Sequence, residues 1–179
     1  MIPIPNHLKA VIDQRNVTIT PNGDGLVAPL QCGCVGKVFK ILYPGETDVF
    51  NGKRCPVIML INEERTFFVI KAACVKCGTE HLLLDIDKHG FEACMCYEPE
   101  PPLSSQPKLI PWTCIQCNHQ DHEAVVRLYF EGTADYLEEA KEYGLNPDLW
   151  PEAFSSFGLT TQCTHCEAKT EYLIDYEAM

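Results

Sequence analysis

The chain has 179 residues, 25 of them acidic and 14 basic, and its formal net charge of −11 opposes binding to a phosphate backbone, where Lys and Arg supply the affinity. No segment approaches the ~18 uninterrupted apolar residues of a membrane helix, and Met1–Ala10 lacks the basic start and apolar run of a secretory signal. The expectation is a cytoplasmic protein, in which eleven cysteines point to metal ligation or redox work rather than to disulfides.

In chain order, Pro5–Arg15 carries Leu8, Val11 and Ile12 at helical spacing and predicts a short N-terminal helix. Val35–Tyr43 is rich in β-branched and aromatic residues and predicts a strand ending in a glycine turn. Val57–Ile61 predicts another strand before a turn at Asn62–Arg65, and Thr66–Ala73 and Leu82–Asp87 continue the pattern. Glu98–Pro111 reads EPEPPLSSQPKLIP; five prolines in fourteen residues exclude a helix or an interior strand and mark a stiff linker. Beyond it, Ala124–Phe130 predicts a strand. Thr133–Gly144 predicts a helix, with a capping Thr, early acidic residues and Gly at its stop. Asn146-Pro147 predicts the start of a shorter one.

The two sides of the linker repeat one another in order. Val38–Gly45 (VFKILYPG) matches Val125–Gly132 (VVRLYFEG) at a shift of 87, and Leu82–Asp87 (LLLDID) matches Tyr172–Glu177 (YLIDYE) at 90. Cys74 and Cys77 match Cys163 and Cys166 at 89, whereas Cys32 and Cys34 precede Cys114 and Cys117 by 82 and 83. Offsets that drift by only a few residues are what loop insertions in a duplicated module produce.

Cys114-Ile-Gln-Cys117 and Cys163-Thr-His-Cys166 have the spacing at which both sulfurs of a turn face one ion, and two such turns complete a tetrahedron. The first half offers Cys32-Gly-Cys34, one residue tighter, with Cys74-Val-Lys-Cys77. Glycine makes the shorter turn feasible. Four thiolates suit the borderline-soft zinc ion, and a closed set of four is the mark of a structural site. Eight thiolates and two divalent ions would take the net charge from −11 to −15.

These turns and their flanking strands resemble zinc ribbons, in which two cysteine turns grip one zinc ion beside a small sheet. The resemblance implies Cys32, Cys34, Cys74 and Cys77 as one ligand set, and Cys114, Cys117, Cys163 and Cys166 as the other. It also implies an α+β fold of two tandem, small, antiparallel β-rich modules with short helices: 1–97 with the N-terminal helix, linker 98–111, and 112–179 with a helical insertion. The intervals between paired turns, 39 and 45 residues, exceed the usual ~15–20, so both modules contain insertions. Cys55, Cys94 and Cys96 have no counterparts; they are either small, partly buried thiols or, with His89, an additional metal or thiol site. His119, His122 and His165 crowd the second set as bystanders or as replacement ligands, and His81 and His89 border a strand.

Nothing in the sequence marks an enzyme. It contains neither the metalloprotease pattern of two histidines around a glutamate nor a glycine-rich phosphate loop. His165-Cys166-Glu167 opens a zinc-deaminase signature that the rest of the chain does not complete. The expected function is that of a zinc-stabilised protein-interaction scaffold, using two structural zinc ions in place of large cores. Its acidic surface suits a basic partner, as in an inhibitor or immunity-type protein. Two alternatives remain: a zinc-ribbon nucleic-acid accessory factor, and a thiol redox or metal-handling protein.

Overall fold

The computed structural model describes residues 2–45, 47–50, 53–56, 60–62, 65–95, 108–130 and 133–178. In chain order the strands are β1 (Thr18–Ile19), β2 (Gly25–Pro29), β3 (Phe39–Tyr43), β4 (Thr47–Phe50), β5 (Lys53–Pro56), β6 (Leu60–Asn62) and β7 (Arg65–Phe67). They continue with β8 (Val69–Cys74), β9 (Glu80–Asp85), β10 (Ile110–Pro111), β11 (Asp121–Tyr129), β12 (Ser156–Cys163) and β13 (Lys169–Glu177). Two short helices, α1 (Phe91–Met95) and α2 (Thr133–Tyr143), complete an α+β fold that is mostly antiparallel sheet.

Nine strands form one sheet, and β4–β5 and β6–β7 are separate two-stranded hairpins. The long strand β11 is its hub. Along one edge it pairs with β12, which pairs with β13; along the other it pairs with β3 through Asp121 and His122 and with β2 through Val125–Tyr129. Strand β3 in turn pairs with β8, and β8 with β9. Alternation explains why these segments are strands: His122, Ala124, Val126 and Leu128 of β11 point into the core, as do Phe39, Ile41 and Tyr43 of β3. The resulting hydrophobic cluster is continuous, joining Leu30, Phe39 and Ile70 to Trp112, Val126 and Phe157. The expectation of two modules with zinc in place of large cores therefore meets a single sizeable core reaching into both halves.

Both halves run in the same order: cysteine turn, strand, insertion, strand, cysteine turn, strand. The first insertion holds the two hairpins and the second holds α2. Cys74 ends β8 opposite Phe39, and Cys163 ends β12 opposite His122. Strand β3 thus corresponds to β11 at an offset of 83, the offset of Cys34 and Cys117, and not at the 87 read from VFKILYPG and VVRLYFEG. Both strands are alternating and β-branched, so a slip of four residues preserves the pattern of faces, and only pairing fixes the register. Both halves also bulge at matching places, between Ile70 and Lys71 against β9 and between Leu159 and Thr161 against β13. Each bulge turns two successive residues inward, Leu83 with Leu84 and Leu173 with Ile174.

The N-terminal segment is not an α-helix. Asn6–Leu8 and Gln14–Asn16 are short 3-10 turns, although Leu8, Val11 and Ile12 are all buried as their spacing predicted. Between the turns, Gln31 N–H donates to Val11 O at 2.8 Å and Ile12 bridges Leu30. These cross-chain bonds compete with helix continuation. Helix α2 matches its prediction: Tyr136 and Ala140, four residues apart, are buried against Ala153, and Leu145 N–H closes the end on Ala140 O at 2.9 Å. The predicted linker lies largely outside the described residues, but its end, Ile110–Pro111, is strand β10, paired with Tyr43 and Leu42. The predicted Val57–Ile61 strand also falls partly outside them; Leu60–Asn62 is its described part.

Gly90 joins β9 to α1 at φ +96, its N–H donates to Glu152 O at 2.8 Å, and a Cβ there would lie 2.5 Å from Ala178 Cβ. Backbone conformation and space both require glycine. Gly90→Ala is expected to cost about 3 kcal/mol of stability in denaturant unfolding, through left-handed strain plus overpacking.

Candidate metal centres

Two groups of four cysteines converge: Cys32, Cys34, Cys74 and Cys77, and Cys114, Cys117, Cys163 and Cys166, with the sulfurs of each group within 4.8 Å of one another. Within them, Cys32 and Cys77, Cys34 and Cys74, Cys114 and Cys166, and Cys117 and Cys163 have their sulfurs 3.5–3.6 Å apart. A tetrahedron with Zn–S bonds of about 2.3 Å has edges of about 3.8 Å. Both groups fit such an ion.

The turns that hold the sulfurs share one backbone design. Cys74, Cys114 and Cys163 each donate their N–H to the carbonyl five residues on, at 2.8–2.9 Å, and accept from the N–H four residues on, at 2.8–3.0 Å. In the shorter first turn the same bonds contract by a residue: Cys32 N–H to Gly36 O, and Val35 N–H to Cys32 O. Immediately after each second cysteine the chain enters the left-handed region, at Val35 (φ 61), Gly78 (75), Asn118 (60) and Glu167 (59). For β-branched Val35 this costs energy, and the closed turn compensates for it. The contraction brings Gly36 so close that a Cβ would stand 2.8 Å from Cys74 Sγ and 3.3 Å from Cys34 Sγ.

Four thiols this close cannot all ionise without a counter-charge. Hydrogen bonding from the Thr79 side chain and backbone draws Cys77 down to about 6. Burial works against Cys114, but the backbone amides of Gln116 and Cys117 bring it down to about 7. Cys32 and Cys117 are instead pushed up to about 12: backbone hydrogen bonds favour their thiolates, but burial and the neighbouring sulfurs outweigh them. A divalent cation among the sulfurs reverses this competition by stabilising every thiolate at once. Around the first group, His81, buried and held below its ordinary value by desolvation, places Nε2 3.3 Å from Cys32 Sγ. It can orient that sulfur by donating to it.

None of the histidines near the second group joins its ligand atoms. His122 is buried and bonded through Nδ1 to Gln120 O, while His119 and His165 tilt toward each other with ring centroids 5.4 Å apart. Cys94 lies half-buried on α1 against the Tyr136 cluster. Cys96 and the Cys55 side chain fall outside the described residues.

A third cluster, His7, His89 and Glu152, was not foreseen as a unit. Its residues do not suit an ion. His7 Nδ1 lies 2.7 Å from Glu152 Oε2 and its Nε2 lies 3.2 Å from Leu83 O, so both nitrogens are engaged by protein oxygens. His89 Nδ1 accepts from Asp85 N–H at 3.1 Å, which leaves the proton of the neutral ring on Nε2. The two rings stack at 3.6 Å and 7°, so their nitrogen lone-pair directions run in parallel planes rather than converging. The cluster is a largely buried latch: His7 pairs with Glu152, whose Oε1 also accepts from Asn6 N–H, and neutral His89 lies against them. Desolvation, aided by the charge of His7, holds His89 down to about 4; Lys88 pairs with Asp85 alongside. Burial opposes ionisation of Glu152, but its bonds to His7 and Asn6 keep it below its ordinary value.

Compared with family profiles, curated proteins and solved structures, the chain has no significant match. Among the described residues, no helix is long and apolar enough to cross a membrane.

Gly36→Ala presses on the first sulfur group and is expected to weaken its metal binding by about tenfold, equivalent to ~1.4 kcal/mol, in a chelator competition. Val35→Gly, which relieves the left-handed strain, should leave loading intact. At the latch, Glu152→Gln removes the carboxylate that faces His7 Nδ1 and accepts from Asn6 N–H, and should cost about 2 kcal/mol at pH 7. The His89 ring is depressed from 6.5 to about 4, so its contribution is complete above 6.5 and fades as the pH falls toward 4; that of Glu152 fades below 4.5. Urea unfolding across this range should lose its upper acid step in His89→Gln.

Proposed function

We propose that the chain is a zinc-stabilised, protein-binding scaffold of two related zinc-ribbon-like modules, 1–97 and 112–179, each holding one structural zinc ion through its four cysteines. The observation that carries this reading is the closure of both sulfur groups: four thiols converge at tetrahedral spacing, which leaves a zinc ion no open position for water or substrate. Matching turn bonds and bulges in the two halves support the duplication. A reducing cytoplasm suits eight thiols kept for metal.

The partner is a basic protein, met by the second half. Residues 1–97 hold ten basic and ten acidic side chains, whereas 98–179 hold four basic and fifteen acidic ones, so the whole net charge belongs to the second half. On α2 and the turn after it, exposed Asp135, Glu138 and Glu142 stand among exposed Leu137, Tyr143 and Leu149. Apolar contact area with an acidic surround suits a basic surface with its own apolar centre, as an inhibitor or immunity-type protein would need.

Metal analysis after purification without chelators should give two zinc ions per chain; a cooperatively folded protein free of metal would overturn the zinc assignment. For the partner, association with a purified basic protein recovered by affinity capture should slow as salt rises. Combining Asp135→Asn, Glu138→Gln and Glu142→Gln should reduce the on-rate at low salt by about tenfold. Retention on DNA at moderate salt would contradict the protein-partner reading.

A further inference from the structure

The sheet joins its two halves in a reciprocal way. Phe39 stands opposite His122, its own counterpart at the offset of 83, in an antiparallel pair. Two equivalent strands facing each other antiparallel at equivalent residues define a local twofold axis. The leading segments obey it too. Strand β2 precedes the first cysteine turn of its half, yet pairs with β11 of the other, Pro29 facing Val125. Strand β10 precedes the first cysteine turn of the second half, yet pairs with β3 of the first, Pro111 facing Leu42. Pro29 and Pro111 are counterparts at an offset of 82, as Cys32 and Cys114 are, and Leu42 and Val125 are counterparts at 83.

Individual hydrogen bonds repeat this relation. Leu30 N–H donates to Ala124 O at 2.9 Å, and its counterpart Trp112 N–H donates to Ile41 O at 2.7 Å. Both side chains are fully buried in the common core. Within each half, Val75 N–H donates to Val38 O at 3.0 Å as Thr164 N–H donates to Asp121 O at 3.1 Å, so the turns and the crossing strands follow one scheme. Aligned on their cysteines, Val27-Ala-Pro-Leu-Gln-Cys32 and Leu109-Ile-Pro-Trp-Thr-Cys114 form a further repeated block.

We infer that the chain is a covalently linked, strand-exchanged pair, in which the surface each half presents to the other is a docking interface whose fitting partner is a second unit of the same kind. The inference rests on the two-module reading. Each unit lends its leading strand to the sheet of the other, and each buries an apolar residue, Leu30 or Trp112, whose N–H donates across to that sheet. Continuity of the chain raises the local concentration of one unit for the other, while the bonds between the units are made by β2 and β10 with β11 and β3. Exchange of identical elements between protomers is a low-cost route to a dimer, and here the two protomers are successive in one chain.

The test uses the full chain with a protease site inserted between Ser104 and Ser105, folded first and cut afterwards. Both fragments should elute together at the volume of the uncut protein, and the Leu30 and Trp112 amides should keep their protection from hydrogen exchange. Two folded fragments eluting separately would overturn the inference, as would rapid exchange of both amides in the uncut protein. Co-elution and amide protection report on association and not on metal content. A metal-free protein whose fragments stay together would therefore refute the zinc reading while leaving the exchange standing.

Discussion

Sulfur crowding sets the terms for this molecule. Four thiols within 4.8 Å are a poor arrangement in isolation, since ionising one opposes ionising the next, and the folded chain nevertheless assembles two such groups with nearly the same spacing. The backbone commits to this in advance. Each turn closes the same pair of hydrogen bonds, passes through a left-handed residue and delivers its sulfurs from one side, even where that residue is valine or glutamate. A cation of charge +2 among the sulfurs would convert that repulsion into attraction between the turns.

The placement of the groups ties them to the rest of the sheet. Cys163, His122, Phe39 and Cys74 lie in one row across β12, β11, β3 and β8, so three strand spacings, roughly 14 Å, separate the two cysteines at its ends. The row crosses the local axis at its middle. Strands β3 and β11, which follow the first cysteine turn of each half, have neighbours from the opposite half, and the continuous core beneath resists independent movement. The two sulfur groups are thus connected through shared strands and a shared core.

The parts of this arrangement that were legible in the sequence are the local ones. The cysteine turns announce themselves by spacing, and α2 by its acidic start and glycine stop. Strand β12 was not seen, because Gly158 and a run of buried residues on either side of it, Phe157 and Leu159, break the alternation that marks a half-buried strand. Strand β10 was hidden by the prolines around it: Pro111 reads as linker, yet proline is tolerated at the margin of a short strand. The latch was beyond reach, since His7 and Glu152 are 145 residues apart and nothing in either neighbourhood asks for a partner.

Register was the subtler loss. Hydrophobic patterns specify which face of a strand is buried, and an even shift of four residues leaves that face unchanged, so VFKILYPG and VVRLYFEG align convincingly at the wrong offset. Cysteines carry no such degeneracy, because each must reach the same point in space. Their offsets of 82 and 83 in the first turn and 89 in the second were therefore the accurate measure of the repeat, and the strands between them follow those offsets. Position in the fold is dictated here by where four sulfurs have to meet, with the apolar pattern free to accommodate either register.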